Sequence, residues 1–359
     1  MGRSVRPRLG RRAWPGLGVA ALAAVAAFAG CGGDASPEKR PDTGRARPQA
    51  LTAERARELR ADETGQVMVL EYHRVGGDPD FAPEWTISAR AFRRELEYLR
   101  SHGYHPVNAR DFLAGRMDVP AGKTPVVLTF DDSSDTQFTL VRRGGKLVPD
   151  PGGAVGVLLD FHRRHPDWPL RGTWFVLPKA DPPNDLFGQR RYASRKLRFL
   201  VEAGMEIGSH TLYHADLGRS TPGQVREQLA RSVTEIRRHL PGYPVQTLGV
   251  PFGVYPDDVS LLREGEWQGE RYEFMGAFQV AGGPSAPPGS RGFDPFRVPR
   301  IQTGQGGGQT REVFREAERD PGRRYVSDGD PRVISFPKAH AGRLDLEALR
   351  AAGYTFRGY

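Results

Sequence analysis

The chain of 359 residues contains a single cysteine and no dense stripe of lysine or arginine. A lone cysteine cannot form an intramolecular disulfide, so the position of Cys31 needs another explanation. Positive and negative residues are mixed, and five arginines among the first twelve residues supply more than half of the formal net charge of +9. Because nucleic-acid binding depends on clustered positive charge, we expect no nucleic-acid partner.

A long hydrophobic run is also missing, apart from a short one at residues 17–29. This run consists almost entirely of Ala, Val, Leu, Gly and Phe, and it follows a basic region without acidic residues. It is shorter than the ~20 apolar residues that span a membrane and is typical of a signal peptide. We therefore expect residues 1–30 to be a signal peptide and the chain to be exported.

The residues around Cys31 resemble a bacterial lipoprotein signal, with Phe28, Ala29 and Gly30 directly before the cysteine. Such a signal is cleaved before the cysteine, which then carries lipid. Phe28 departs from the aliphatic residue that is usual there, and an ordinary signal peptide with a stray cysteine is the alternative. The resemblance implies a protein anchored through Cys31 to the outer face of the cell membrane.

Composition divides the remaining chain into a tether and one domain. Residues 31–64 are rich in Gly, Pro, Ala and charged residues, which predicts a flexible tether. From residue 65 to residue 359, short apolar runs alternate with segments of helical periodicity. Strands are predicted at residues 67–73, 104–107, 125–130, 170–177, 205–208, 245–250, 274–280 and 297–302. So many alternating strands and helices predict parallel βα units arranged as a barrel.

Two motifs directly follow predicted strands, where parallel barrels place their sites. The first is Thr-Phe-Asp-Asp, in which Asp131 and Asp132 should point in different directions because side chains alternate along an extended chain. One carboxylate can then bind a metal ion while the other stays free. The second is His-Thr-Leu-Tyr-His, in which His210 and His214 are spaced to face one ion if the segment is helical.

Each motif alone has a structural alternative, a helix cap or turn for the aspartates and two exposed surface histidines for the other. Together they offer one carboxylate and two imidazoles as ligands, with a second carboxylate beside them. This set suits a hydrolytic zinc site, which keeps one position open for water. The zinc-protease pattern is absent, because Thr211 stands where that pattern has glutamate.

These motifs resemble those of the polysaccharide deacetylases of NodB homology, carbohydrate esterase family 4. Residues 129–132 match the first motif of that family, residues 209–214 the second, and Val-Pro-Phe-Gly at residues 250–253 more loosely the third. The likeness runs from about Val67 to the C-terminus. It implies a distorted (β/α) barrel with about seven units and one divalent metal ion, usually zinc.

The resemblance also implies roles for single residues. Asp132, His210 and His214 would be the metal ligands, and Asp131 the general base. The backbone N–H of Phe252 would donate to the developing oxyanion.

The chain departs from the family at several positions. Ser133 replaces the glycine that usually follows the two aspartates, so we expect a different backbone or strain in this turn. Gly249 replaces the arginine of the third motif, and Arg297 and Arg300 are candidates for the missing cation. The histidine that supplies the general acid has no clean match, and His340 is the candidate for that role.

We therefore expect a metal-dependent deacetylase that acts on an acetylated polysaccharide at the cell envelope. N-acetylglucosamine-type glycans are the leading substrate class, and O-acetylated plant glycan is the second. A glycan-binding protein that kept the barrel and lost turnover is the main alternative. The missing arginine at Gly249 and the unclear general acid favour this alternative, whereas the intact Asp131, Asp132, His210 and His214 oppose it. Metal-dependent hydrolysis of another amide or ester is a third possibility.

Replacing Cys31 with Ala should release the protein from cells into the medium, because the lipid attachment site would be lost. The measurement is the distribution of the protein between washed membranes and culture supernatant. Unchanged membrane association of the Cys31→Ala variant would contradict lipid attachment at this position.

Overall fold

The computed structural model describes residues 51–78, 80–304 and 309–359. The predicted signal peptide, Cys31 and the first part of the predicted tether lie outside the described residues, so these expectations stay predictions. Within the described part of the chain, no helix is both long and apolar enough to cross a membrane.

The described residues form eight α-helices and sixteen strands. The helices are α1 (Ala53–Leu59), α2 (Ala89–Ser101), α3 (Ala109–Leu113), α4 (Ala154–Arg164), α5 (Ala193–Glu202), α6 (Pro222–His239), α7 (Thr310–Arg319) and α8 (Leu346–Ala351). The strands are β1 (Met68–Tyr72), β2 (Arg74–Val75), β3 (Thr86–Ile87), β4 (Tyr104–Val107), β5 (Thr124–Phe130), β6 (Leu140–Arg143), β7 (Lys146–Pro149), β8 (Thr173–Val176), β9 (Glu206–Ser209), β10 (Thr247–Gly249), β11 (Glu264–Trp267), β12 (Glu270–Glu273), β13 (Gly276–Gly282), β14 (Val298–Gln302), β15 (Val333–Phe336) and β16 (Thr355–Gly358).

Seven parallel strands close into a ring in the order β1, β5, β8, β9, β10, β13, β14 and back to β1. The strand β4 lies outside this ring, because it pairs with the first half of β5 while β8 pairs with the end of β5. The eight strands of this sheet are those predicted from the sequence. The ring confirms the expected distorted (β/α) barrel of about seven units.

Alternate residues of the ring strands point into the barrel and form an apolar cluster of their own. This cluster includes Val69, Val127, Phe175, Phe278 and Val298, all buried. The rings of Phe175 and Phe278 lie 5.5 Å apart and fill the centre. Because strand side chains alternate with a period of two, the residue two positions later on each of these strands is the next one to point into the barrel.

Three of those next inward positions are polar. They are Glu71 on β1, Thr129 on β5 and Arg300 on β14, and all three are fully buried. The barrel is therefore apolar at its centre and carries charged side chains at the end where the two sequence motifs lie.

Local caps fix the start of two helices outside the ring. Ser88 caps α2 by accepting a hydrogen bond from the Ala91 amide at 3.1 Å. Thr221 and Gln224 form a reciprocal capping box at the start of α6. A cap of this kind contributes about 1 kcal/mol, and the buried apolar face of each helix supplies the larger share of its stability.

The predicted tether extends too far, because residues 51–64 belong to the folded domain. Helix α1 buries Ala56, and the buried side chain of Glu63 accepts hydrogen bonds from the Tyr325 hydroxyl at 2.9 Å and the Ser335 amide at 3.0 Å. The partners of this segment lie more than 250 residues later in the chain. Its local composition, which lacks an apolar face, could not indicate them.

Three further features were not predicted. They are the hairpin of β6 and β7, the hairpin of β11 and β12, and a C-terminal unit in which the parallel strands β15 and β16 flank α8. The strands of the two hairpins have four residues each and are partly exposed, so they lack the continuous apolar pattern of the ring strands.

Glu63 should make stability depend on pH. Burial raises the pKa of Glu63 from 4.5 to about 8, and the negative charge of Asp328 adds to this shift. A carboxyl group with a raised folded-state pKa stabilises the fold below its unfolded pKa and loses that contribution as the pH rises. The free energy of unfolding should therefore fall between pH 4.5 and about 8, by at most about 1.4 kcal/mol per pH unit for one proton.

Glu63→Gln cannot ionise and should show a flatter decline over this window, whatever its absolute stability. Thermal unfolding across the pH range measures the slope. Glu58→Gln is the matched control, because Glu58 is exposed on the neighbouring α1. Equal slopes for wild type and Glu63→Gln would contradict the assignment.

Candidate functional site

The three predicted metal ligands meet at the carboxyl ends of β5 and β9. Oδ1 of Asp132 lies 3.4 Å from Nε2 of His210 and 3.4 Å from Nε2 of His214. Asp132 Oδ1 is buried and has no hydrogen-bond partner. Buried polar atoms are nearly always paired, so an oxygen that faces two imidazole nitrogens without a donor fits a cation between them. A carboxylate and two imidazoles are ligands that zinc accepts.

The two histidines lie in a turn, so the expected helical segment is wrong. Thr211 has a φ of 69° and His214 a φ of 65°, both in the left-handed region. The imidazole rings nevertheless approach to 4.9 Å between centroids. A tight turn therefore brings together two side chains that the spacing alone assigned to a helix.

A backbone carbonyl fixes the orientation of His210. Its Nδ1 lies 2.9 Å from the carbonyl oxygen of Gly249, which can only accept a hydrogen bond. Nδ1 therefore carries a proton, and Nε2 is the ring nitrogen directed toward Asp132. A Cβ atom at Gly249 would lie 2.9 Å from the Phe175 ring and 3.0 Å from His210 Nδ1. No arginine fits at this position without displacing both neighbours.

The environment favours the metal-binding protonation state of His214 and Asp132, whereas the charges of Asp131 and Asp132 outweigh burial and raise the pKa of His210. Burial, together with the nearby positive charge of His210, lowers the pKa of His214 to about 4. Its imidazole is therefore neutral at pH 7. Burial opposes ionisation of Asp132, but the interactions with His210 and the charge of His73 outweigh it and hold the pKa of Asp132 below its usual range.

Asp131 points the other way, into the barrel, where Arg300 holds it. The two terminal nitrogens of Arg300 each donate to one carboxylate oxygen of Asp131, both at 2.7 Å. Burial alone would raise the pKa of Asp131, but the charge of Arg300 outweighs it and the pKa is lowered. Asp131 is thus an ionised carboxylate in a fixed orientation, beside the metal ligands but separate from them.

The guanidinium of Arg300 has a partner for every N–H group. Its Nε donates to the Gln279 carbonyl at 2.7 Å, and the terminal nitrogens also donate to Thr129 Oγ1 at 3.0 Å and Glu71 Oε1 at 3.1 Å. A buried charge is tolerated only when it is paired and hydrogen-bonded in this way. Arg300 can therefore remain charged inside the barrel.

The sequence offered Arg297 and Arg300 as candidates for the cation beside Asp131. Arg300 is the one that lies there. Arg297 lies elsewhere, with its guanidinium 4.6 Å from the centroid of the Tyr255 ring. The difference follows from strand geometry, because Arg300 occupies an inward position of β14, whereas Arg297 precedes that strand.

The structure does not bring His340, the candidate general acid, to the other predicted site residues. Nδ1 of His340 lies 2.7 Å from Oδ2 of Asp62, which precedes β1 and so lies on the side of the strand amino ends. Asp131 and Asp132 follow the carboxyl end of β5 on the opposite side. His340 lies there because the C-terminal unit packs against the start of the domain, a long-range contact that the sequence does not indicate.

A second cluster of possible ligands consists of Glu71, His73 and Asp131. Arg300 already binds both carboxylates, and its positive charge would repel a metal ion there. His73 Nε2 lies 3.7 Å from Glu71 Oε1, and its ring packs against Trp85. Glu71 was not predicted as a site residue, although an acidic residue inside an otherwise apolar buried strand is a visible signal of a buried ion pair.

Phe252 lies beside the ligands, as predicted. Its ring is 4.3 Å from the ring of His214, its side chain is 59% exposed, and its φ is 59°. The role of its backbone N–H as an oxyanion donor stays a prediction.

The turn that carries Asp132 is strained, as Ser133 suggested. Asp132 has a φ of 70° and Ser133 a φ of 45°. A left-handed conformation costs a residue with a side chain about 1–2 kcal/mol. The Ser133 hydroxyl donates to the Asn184 carbonyl at 2.7 Å and accepts from the Leu177 amide at 3.0 Å. Two hydrogen bonds of about 0.5–1.5 kcal/mol each offset this cost, and glycine could make neither.

Comparisons with known proteins agree with this architecture. A family model described as polysaccharide deacetylase matches residues 169–265, which include His210, His214 and Phe252. A search of the curated proteins finds no match.

Solved structures share the fold at low sequence identity. The polysaccharide deacetylase BC0361 from Bacillus cereus is 19% identical with a TM-score of 0.52, over 70% of this chain and 68% of that one. The Streptococcus pyogenes deacetylase PplD, solved in complex with acetate, is 16% identical with a TM-score of 0.50, over 70% of this chain and 97% of that one.

The family match covers the second and third motifs, and the seven-stranded ring places the first motif against them. Residues 169–265 of this chain thus match the polysaccharide deacetylase family model, and the chain shares the fold of solved polysaccharide deacetylases.

Proposed function

We propose that this protein is a metal-dependent hydrolase that removes acetyl groups from an acetylated polysaccharide, with N-acetylglucosamine-type glycans as the favoured substrate. One observation carries the proposal. Asp132, His210 and His214 converge on one point, while the adjacent Asp131 is held apart from them by Arg300. Metal-assisted hydrolysis needs this arrangement, in which one carboxylate binds the ion and its neighbour stays free to accept a proton.

Asp132, His210 and His214 would hold one divalent ion, and their mixture of nitrogen and oxygen donors favours zinc. When bound, such an ion polarises a carbonyl group and lowers the pKa of water beside it. The hydrogen bond from His210 to the Gly249 carbonyl keeps the Nε2 lone pair directed at this point.

Asp131 would accept the proton of the attacking water. Each of its oxygens accepts one hydrogen bond from Arg300, and a carboxylate oxygen has a second lone pair for a proton. Arg300 fixes the direction of that lone pair, which matters because proton transfer needs a donor within hydrogen-bond reach. Oδ2 of Asp131 lies 3.8 Å from Nε2 of His210, so the base and the ligands share one small space.

Phe252 and Tyr213 would contact the glycan. They are 59% and 53% exposed, and both lie next to the ligand His214 in space or in sequence. Aromatic faces of this kind suit the apolar faces of sugar rings, and the Phe252 N–H is the proposed donor to the oxyanion.

The proposed site of action is the cell envelope, with lipid attached at Cys31 as the anchor. The acetate bound to PplD is the expected product of a deacetylase, and it supports the same reaction here only by analogy.

The alternative of a glycan-binding protein without turnover is less compatible with the geometry. A binding protein needs neither a buried base nor an arginine committed to both of its oxygens. Arg300 also removes one of the two reasons for that alternative, because it places a cation beside Asp131 although Gly249 cannot.

The purified protein should release acetate from acetylated chito-oligosaccharides or from peptidoglycan. Chelation should abolish release and zinc should restore it, because the three ligands supply the metal site. Asp131→Asn should retain zinc and lose turnover by at least about 10²-fold, the lower range for removal of a general base. His210→Ala should lose both zinc and turnover.

Acetate assays together with metal analysis of each variant check these outcomes. Bound zinc without acetate release from any acetylated glycan would favour the binding protein. Full activity after exhaustive chelation would contradict metal dependence.

Arg300→Lys should lower kcat by about 10²-fold while zinc binding is kept, because lysine keeps the charge but cannot hold both oxygens of Asp131. Arg300→Ala is less informative, since two unpaired buried carboxylates would cost about 3–5 kcal/mol of stability. Arg297→Lys is the matched control and should leave kcat unchanged. An unchanged kcat in Arg300→Lys would exclude a role of Arg300 in orienting the base.

A further inference from the structure

Ser133 connects the metal-ligand turn to a neighbouring part of the fold. Its side chain is fully buried, and its hydroxyl bridges the Asn184 carbonyl at 2.7 Å and the Leu177 amide at 3.0 Å. Its own carbonyl accepts a hydrogen bond from the Phe187 amide at 2.8 Å. Three hydrogen bonds thus join the residue after Asp132 to the end of β8 and to residues 184–187.

Residues 184–187 form a fixed support for this contact. Phe187 is fully buried in the main core, and its carbonyl accepts a hydrogen bond from the ammonium of Lys196 at 2.8 Å. Asp185 pairs with Leu177 through an isolated β-bridge and forms an ion pair with Arg190. The segment is therefore tied to both α5 and β8.

We propose that Ser133 is a positioning residue for the metal centre, through which the 184–187 segment sets the direction of the Asp132 carboxylate. The inference rests on the proposed role of Asp132 as a metal ligand. Asp132 and Ser133 are consecutive non-glycine residues in the left-handed region, with φ values of 70° and 45°. Such a pair keeps its conformation only when its surroundings over-determine it, and the Ser133 hydroxyl supplies that constraint.

Glycine at this position would reach the same φ without strain, but it would also reach other conformations. It would lack the hydroxyl that binds the turn to β8 and to Asn184. Ser133 therefore replaces conformational freedom by a specific contact, and the direction of the neighbouring ligand depends on that contact.

The neighbouring Ser134 is a matched control. It is also buried, but its hydroxyl contacts the His73 carbonyl at 3.4 Å and Thr136 Oγ1 at 3.0 Å. Neither partner belongs to the 184–187 segment or to β8. A loss of hydroxyl at Ser134 therefore removes a similar group without touching the proposed support.

The test is a zinc titration of the full chain against a competing chelator, with thermal unfolding of the metal-free protein measured in parallel. Ser133→Ala should weaken zinc affinity by about 10-fold or more, the usual effect of losing a residue that orients a ligand. Ser133→Gly should also weaken it, although its backbone strain is relieved. Ser134→Ala should leave it unchanged. The absorption spectrum of bound cobalt should shift in both Ser133 variants, because it reports ligand geometry.

A lower melting temperature of the metal-free Ser133 variants with unchanged zinc affinity and cobalt spectrum would overturn the proposal, because the role would then be structural only. Ser133→Gly provides the second variant if Ser133→Ala does not fold. If the wild type and both Ser133 variants bind zinc with equal affinity, the inference about Ser133 fails and the proposed function does not. Failure of the wild type to bind zinc at all overturns the proposed function, and this inference with it.

Discussion

The ion pair between Arg300 and Asp131 is the interaction on which the rest of the site depends. It lies inside the barrel, where a single unpaired charge would be strongly destabilising, and every N–H group of the guanidinium has a partner. The pair requires that β5 and β14 lie close enough for their inward residues to meet across β1. A closed ring of parallel strands satisfies this requirement, because β1 pairs with both.

The same ring separates the tasks of the two aspartates. Asp131 continues the alternation of β5 and points into the barrel, whereas Asp132 leaves the strand through a left-handed turn and meets His210 and His214. The backbone of the site is strained at five residues that have positive φ values, namely Asp132, Ser133, Thr211, His214 and Phe252. Residues in such conformations persist only where neighbouring contacts hold them.

The apolar centre of the barrel sets a spatial limit on this arrangement. Phe175 fills the interior beneath His210, and Gly249 leaves room for both. An arginine at that position has no space, so the cation that orients Asp131 comes from β14 instead. A departure from the family pattern in one motif is thus balanced by a residue more than 50 positions later in the chain.

Local patterns in the sequence determined most of the barrel and pointed to the three proposed metal ligands. The ring strands are continuous apolar runs buried on both faces, which is a periodic signal visible within a few residues. Asp132, His210 and His214 carry the residue types that metal chemistry requires, directly after such strands.

Tertiary structure decided what depends on long-range contacts. It placed Arg300 rather than Arg297 beside Asp131, brought Glu71 into the same ion-pair network, and paired His340 with Asp62 on the other side of the barrel. It also drew residues 51–64 into the domain through partners near the C-terminus. The physical reason is the same in each case: the partner of a buried charge is chosen by which strands lie next to each other, and no local pattern of residues encodes that choice.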